Sequence, residues 1–247
     1  MVQIGRCVRW YKDYLEEVAF CVEHCFHFMQ LWFKDGEICL DNIPEPKEKY
    51  IKDVGFPIIL HAVFDPQDFD LYGDQLLELV EYFGHKEVII HPVCEKQPVF
   101  EGIDEVLRYK VHSFSQKAKA QGITFYLENN SVIDTFHYKP EALHIVHDRN
   151  DDAELLLDVA HIDNYKHLEK IIAVKYPKCL HVAGKHFSVP HEHLSLTEGD
   201  IDYTKVFTTY LPNFQGRVII EVDGLDEEII TSKKILEEAL TKSSLNF

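Results

Sequence analysis

The sequence predicts an α/β protein folded as one (β/α)8 TIM barrel, and three observations carry that expectation. Eight short apolar runs recur along the 247 residues, with amphipathic or turn-rich stretches between them. Several of the runs are rich in Val, Ile and Leu on both faces, as parallel strands covered by helices should be. Six of the eight reach a His, Asp or Glu at or just past their C-terminal end. A barrel of parallel strands gathers those ends on one face, where active sites are built.

The strand candidates, in order, are 2–6, 27–33, 57–63, 87–92, 123–128, 154–158, 178–183 and 217–222. Helical patterns cover 11–25, 66–84, 103–121, 139–148, 164–175 and 226–240, with a weaker one at 44–54. The stretch 66–84 shows the reasoning: Pro66 stands near its start, Leu76, Leu77, Val80 and Phe83 recur at helical spacing, and Gly84 closes it. Repeated strand-helix order predicts right-handed crossovers, and eight units close a barrel. No linker, repeat or low-complexity segment interrupts residues 1–247, so one domain is expected. The longest irregular stretch is about 186–200, after the seventh strand, and long loops in compact domains are often functional.

Composition narrows the function classes. No apolar run approaches the roughly 20 residues needed to cross a bilayer, and a membrane partner is not expected. The opening "MVQIGRCVRWYKDY" has early charges and no apolar signal core, which points to a cytoplasmic protein. Six scattered cysteines lack the spacing of a disulfide scaffold or a thiolate zinc site and read as reduced, mostly buried thiols. With 42 acidic against 25 basic residues the formal charge is −17, and no Lys/Arg-rich run offers a stripe for phosphates. That disfavours nucleic acid as a partner, although bound dications would make a pocket locally positive.

The ligand-type residues are His61 in "PIILHAVFD", His91 in "EVIIHPV", Glu128 in "ITFYLENN", Asp158 and His161 in "ELLLDVAH", His181 in "KCLHVAGK" and Glu221 in "RVIIEVD". Each alone has a plain reading: a lone His at a strand end is more often a hydrogen-bonded structural residue than a ligand. Glu128 and Glu221 resist that reading, because a buried carboxylate without a partner costs several kcal/mol and calls for a cation. The D-x-x-H spacing of Asp158 and His161 can turn both side chains into one pocket. His191 and His193, in the irregular stretch, read alone as solvated loop residues. Mixed carboxylate and imidazole donors suit Zn, Mn, Co or Fe better than Mg. One such metal between two carboxylates supports proton transfer at a hydroxy-carbonyl group, whereas several clustered metals favour attack of water on a phosphodiester.

These motifs, with "HEHLSLTEGDID" after the seventh strand, resemble the xylose-isomerase-like barrels, which include sugar isomerases and epimerases and the endonuclease IV type of DNA-repair enzyme. The resemblance runs over nearly the whole chain. It implies a central metal set of Glu128, Asp158, His181 and Glu221, with the two glutamates also moving the proton. It implies a substrate contact at His161, and a substrate-hydroxyl or phosphate contact at Lys185 or His186. The endonuclease IV pattern adds His61 and His91, sharing Glu128 at one further metal, and His161 with a D-x-H motif at another, for up to three sites. Here that motif reads His191-Glu192-His193, so an imidazole replaces the usual Asp. Members are often dimers or tetramers, and a homo-oligomer is compatible with this chain.

Two activities follow from the resemblance. The first is a metal-dependent sugar or sugar-phosphate isomerase or epimerase, favoured by the complete central set, the acidic surface and the "EGDID" segment. The alternative is a multinuclear zinc phosphodiester hydrolase acting on abasic DNA, favoured by His61, His91 and His193. The acidic stretches "KDGEICLDNIPEPKEKY" and "DPQDFDLYGD" stand where a DNA-gripping loop should carry Arg, Lys and aromatic wedges. A barrel that binds metal without catalysis would not need both Glu128 and Glu221.

Overall fold

In a computed structural model of the chain, which describes residues 1–222, 224–245 and 247, the expected barrel closes. The strands are β1 (Val2–Cys7), β2 (Phe28–Lys34), β3 (Glu37–Ile38), β4 (Ile58–Phe64), β5 (Glu87–Pro92), β6 (Thr124–Glu128), β7 (Ala153–Asp158), β8 (Cys179–Val182) and β9 (Gly216–Ile220). Eight of them pair in parallel in the order β1-β9-β8-β7-β6-β5-β4-β2, and β1 pairs back onto β2. Each of the eight lies within two residues of its sequence expectation. Asp223, which ends the "IIEVD" motif, lies outside the described residues.

The helices are α1 (Tyr14–Glu23), α2 (Lys47–Val54), α3 (Asp68–Phe83), α4 (Ile103–Ala120), α5 (Pro140–His147), α6 (Tyr165–Val174), α7 (Tyr203–Lys205) and α8 (Asp226–Lys242). Capping explains several boundaries. Asp13 accepts from the amides of Leu15 and Glu16 at the start of α1, Asn164 from those of Lys166 and His167 at α6, and Gly84 ends α3 at φ 76°. Two elements escaped the sequence reading. β3 is a two-residue strand folded back on β2 through Asp35 and Gly36, both at positive φ. The helix between β8 and β9 is one short turn, α7, running into a π-turn at Val206–Tyr210. Neither is long enough to display a hydrophobic period. No described helix is long and apolar enough to cross a membrane.

Inside the barrel the side chains form layers. Phe28, Ile59, Ile89, Tyr126, Leu156, Cys179 and Ile219 fill the middle, separate from the larger core between strands and helices. Phe28 has room because β1 places Gly5 opposite it; a Cβ there would lie 2.5 Å from the ring. Below this layer Glu87 pairs with Arg217 and accepts from Tyr126 Oη at 2.7 Å. Above it, two residues further along each strand, stand Cys7, Gln30, His61, His91, Glu128, Asp158, His181 and Glu221. Period-two alternation therefore delivers a ring of polar side chains directly over an apolar floor.

The loop after β1 is held by charge. Glu17 of α1 is buried beneath it and accepts from Arg6 Nη2 at 2.8 Å, from the Arg9 amide at 2.9 Å and from Arg9 Nε at 3.0 Å. Arg9 also reaches Asp226 at the start of α8. Those contacts anchor the segment that carries Trp10 to the mouth of the barrel.

Candidate metal centre

Six strand ends converge on one cluster. The donor atoms of Glu128, Asp158, His181 and Glu221 lie within 4.8 Å of one another, and all four residues are buried. His181 stands at the middle: its Nδ1 is 3.1 Å from Glu221 Oε2, 3.2 Å from Glu128 Oε1 and 3.8 Å from Asp158 Oδ2. Another grouping, His61 with His181 and Glu221, overlaps this set, and two more flank it. His61, His91 and Glu128 form one, with His61 Nε2 3.1 Å and His91 Nδ1 3.5 Å from Glu128 Oε2. His161, His191 and His193 form the other, their ring centroids 4.9–5.4 Å apart. Glu128 thus belongs to two groups, and the loop at 186–200 supplies two imidazoles that sequence position alone left solvated.

Neighbouring residues aim these donors. Asn129 follows Glu128 out of β6; its Oδ1 accepts from the Asp158 amide at 2.8 Å and its carbonyl oxygen accepts from His161 Nδ1 at 2.8 Å. Asp158 Oδ1 accepts from the Ala160 amide at 2.6 Å, which leaves Oδ2 for the cluster. Trp32 stacks on His61 with ring centroids 4.4 Å apart. Gln30, fully buried on β2, accepts from His181 Nε2 at 2.8 Å through its Oε1.

The electrostatics describe a site built for positive charge. Burial pushes the Glu128 carboxyl up, but the imidazoles of His91 and His181 outweigh it and hold the group well below the usual carboxylate range. Glu221 is likewise buried and held low by His181. Burial pushes His181 down, but Glu221 and Glu128 raise it well above an ordinary histidine. His61 and His161 are lowered by burial and present neutral rings.

A divalent metal fits these residues. His61 Nε2, His91 Nε2, Glu128 Oε2, Asp158 Oδ2, His161 Nε2 and His193 Nε2 are all buried without a well-formed hydrogen bond, and the close contacts some of them make are to one another. Unsatisfied buried donors and acceptors are rare in folded proteins, and here they crowd around one cavity in the donor chemistry of Zn, Mn, Co or Fe.

The cluster opens into a cleft of about 450 Å³. His91, His161, His191 and His193 line it, together with Trp10, Trp32, Lys34 and Cys39. Lys185 and His186 do not line it. The buried Lys185 Nζ donates to the Ile162 carbonyl oxygen at 2.8 Å, and His186 pairs with Glu192 at 3.1 Å. Sequence reasoning did not single out Gln30, Trp32 or Asn129. A signal was present for Gln30, the one strongly polar side chain inside the run "FMQLWF".

No protein-family model matches this chain, and no curated protein matches it by sequence. Solved structures do. A D-tagatose 3-epimerase-like protein superposes with a TM-score of 0.78 at 18% identity, covering 98% of each chain. A zinc-bound IolI protein gives 0.69 at 15% identity, covering 98% of this chain and 99% of its own. An AP endonuclease, family 2, from Brucella melitensis gives 0.68 at 14%, covering 97% and 98%. At these identities the likeness is one of fold, and both epimerases and an endonuclease share it.

Proposed function

We propose that this chain is a divalent-metal-dependent sugar or sugar-phosphate isomerase or epimerase, with Glu128 and Glu221 as its proton-transfer groups. The observation that carries this reading is the position of the two carboxylates. Both sit in the central donor set, 3.2 and 3.1 Å from His181 Nδ1, at a cleft of about 450 Å³ that both also line. That volume suits a small molecule, and Trp10 and Trp32 give it an aromatic wall against which a sugar's C–H face can pack.

When bound, the metal supplies polarisation of a hydroxyl and the adjacent carbonyl, which makes the intervening C–H acidic. The protein does the rest. The surrounding imidazoles outweigh burial and keep Glu128 and Glu221 ionised, so either carboxylate can accept the proton and, as the acid so formed, return it. Inversion at carbon requires the counterpart to take up a proton from water before delivering it to the opposite face. His161, its ring set by the Asn129 carbonyl, presents Nε2 from the side of the cleft. The apolar layer beneath closes the site to water from below.

One observation favours a second reading. The outer groups His61/His91/Glu128 and His161/His191/His193 are complete and rich in unpartnered nitrogens, as a multinuclear phosphodiester hydrolase requires. The charge of −17, and the commitment of Arg9 to Glu17 and Asp226, weigh against a DNA substrate and hence against this reading.

Incubation in deuterated water with a panel of ketoses and their phosphates tests the first reading. Metal-dependent exchange at a substrate carbon is expected, with Glu128→Gln and Glu221→Gln abolishing it. Exchange retained in either variant overturns the assignment of that carboxylate. Chelator-sensitive nicking of abasic-site DNA, without exchange, replaces the first reading with the second.

A further inference from the structure

Of the eight strand positions that ring the cleft, six carry the donors described above; the other two are Cys7 and Gln30. Gln30 is completely buried, and both ends of its amide face the central set. We propose that Gln30 is a positioning residue of the metal centre: it decides which nitrogen His181 presents and braces Glu221 from behind.

The geometry is directional. A carbonyl oxygen only accepts, so the 2.8 Å contact from Gln30 Oε1 places the hydrogen on His181 Nε2 and leaves Nδ1 as the donor toward a metal. Nδ1 is the atom surrounded by Glu128, Asp158 and Glu221. The other end agrees, since Gln30 Nε2 lies 3.5 Å from Glu221 Oε1, donor to acceptor. Turning the amide over would set its NH2 against the Nε2 hydrogen and its oxygen against a carboxylate. The side chain is fixed by its strand: Gln30 is in register with Cys7 on β1 and Ile59 on β4, and its own carbonyl accepts from the Val8 amide at 3.0 Å. Among the described residues Gln30 is the hydrogen-bond partner of His181 Nε2; without it the ring is held through Nδ1 by the carboxylates of the set itself, and a flipped ring would offer its metal-facing nitrogen to the wall.

This inference rests on the reading of Glu128, Asp158, His181 and Glu221 as metal ligands, and its test separates the two. Zinc affinity of the metal-free protein is measured against a competing chelator in wild type, Gln30→Leu and Gln30→Glu, alongside 15N spectra of the zinc-loaded His181 ring. Gln30→Leu is expected to bind zinc about 10- to 100-fold more weakly, while Gln30→Glu, which keeps an acceptor, stays closer to wild type. The wild-type spectrum should show Nε2 protonated and Nδ1 bound to metal. Zinc bound through Nε2 in wild type overturns the proposal whatever the variants do, including a Gln30→Leu that does not fold. Unchanged affinity in a folded Gln30→Leu also overturns it. A wild-type protein that takes up no zinc overturns the ligand reading, and the role of Gln30 with it.

Discussion

His161 donates its Nδ1 hydrogen to the main-chain carbonyl oxygen of Asn129 at 2.8 Å, and its Nε2 consequently faces Asp158 Oδ2 at 3.3 Å. The residue next to Glu128 therefore sets the tautomer of a histidine 32 positions further along the chain, and the central set is coupled to the outer imidazoles through backbone.

The metal count separates the two readings. For an isomerase, metal-free protein titrated with zinc should saturate near one equivalent, with His193→Ala leaving the central set occupied; for a multinuclear hydrolase it should continue to two or three, with His61→Ala and His193→Ala each removing about one. Elemental analysis of the dialysed proteins checks this. Saturation of wild type at a single equivalent would show that the outer imidazoles are not metal sites.

Metal should also stabilise the fold, because unfolded chain cannot reproduce the central set. At a free zinc concentration of 100 times Kd the gain is about 2.7 kcal/mol, or about 5–10 °C in melting temperature for a chain of this size. Glu128→Gln touches two donor groups and should lose most of this shift. A thermal scan with and without zinc measures it.

Glu17→Gln should destabilise the protein by about 3–5 kcal/mol, since it leaves the buried guanidinium groups of Arg6 and Arg9 without their carboxylate. Denaturant unfolding reads the loss. A change below 1 kcal/mol would mean that Asp226 and solvent compensate Arg9.

Two buried histidines predict an acid-sensitive fold. Both ring nitrogens of His137 and His147 lack hydrogen-bond partners; burial lowers His137 far below its ordinary value and His147 to about 3. A histidine held low takes up its proton more readily unfolded than folded. Its contribution is therefore full above the ordinary value of 6.5 and erodes as pH falls below it, until native His147 itself protonates near 3. Stability should decline by up to about 1.4 kcal/mol per pH unit for each histidine in that window. His147→Phe should flatten the decline; an unchanged slope would place the acid sensitivity elsewhere.

Gly5→Ala should cost about 1–3 kcal/mol, because the added methyl meets the Phe28 ring at 2.5 Å in the filled middle layer. Calorimetry of the variant is the check, and a neutral result would show that Phe28 can move.

Most of the barrel was legible from the chain because several strands are apolar on both faces and local signals such as Asp13, Gly84 and Asn164 mark helix ends. β3 and the turn at Tyr203–Tyr210 were not, being two residues and two irregular turns held by long-range packing. Among site residues, Glu128 and Glu221 stood out as carboxylates at the ends of buried strands. Gln30 did not, because a neutral amide in a strand carries no charge that demands an explanation.

By itself the sequence determined the order of elements and the cleft-facing positions of His61, His91, Glu128, Asp158, His181 and Glu221, since strand alternation is a local property repeated eight times. Only the tertiary structure decided that His191 and His193 fold back within reach of His161, that Lys185 turns to the Ile162 carbonyl, and that Gln30 meets His181. The last contact joins residues 151 positions apart. Closure of β1 onto β2 creates such meetings, and no pattern read along one strand encodes the register across eight of them.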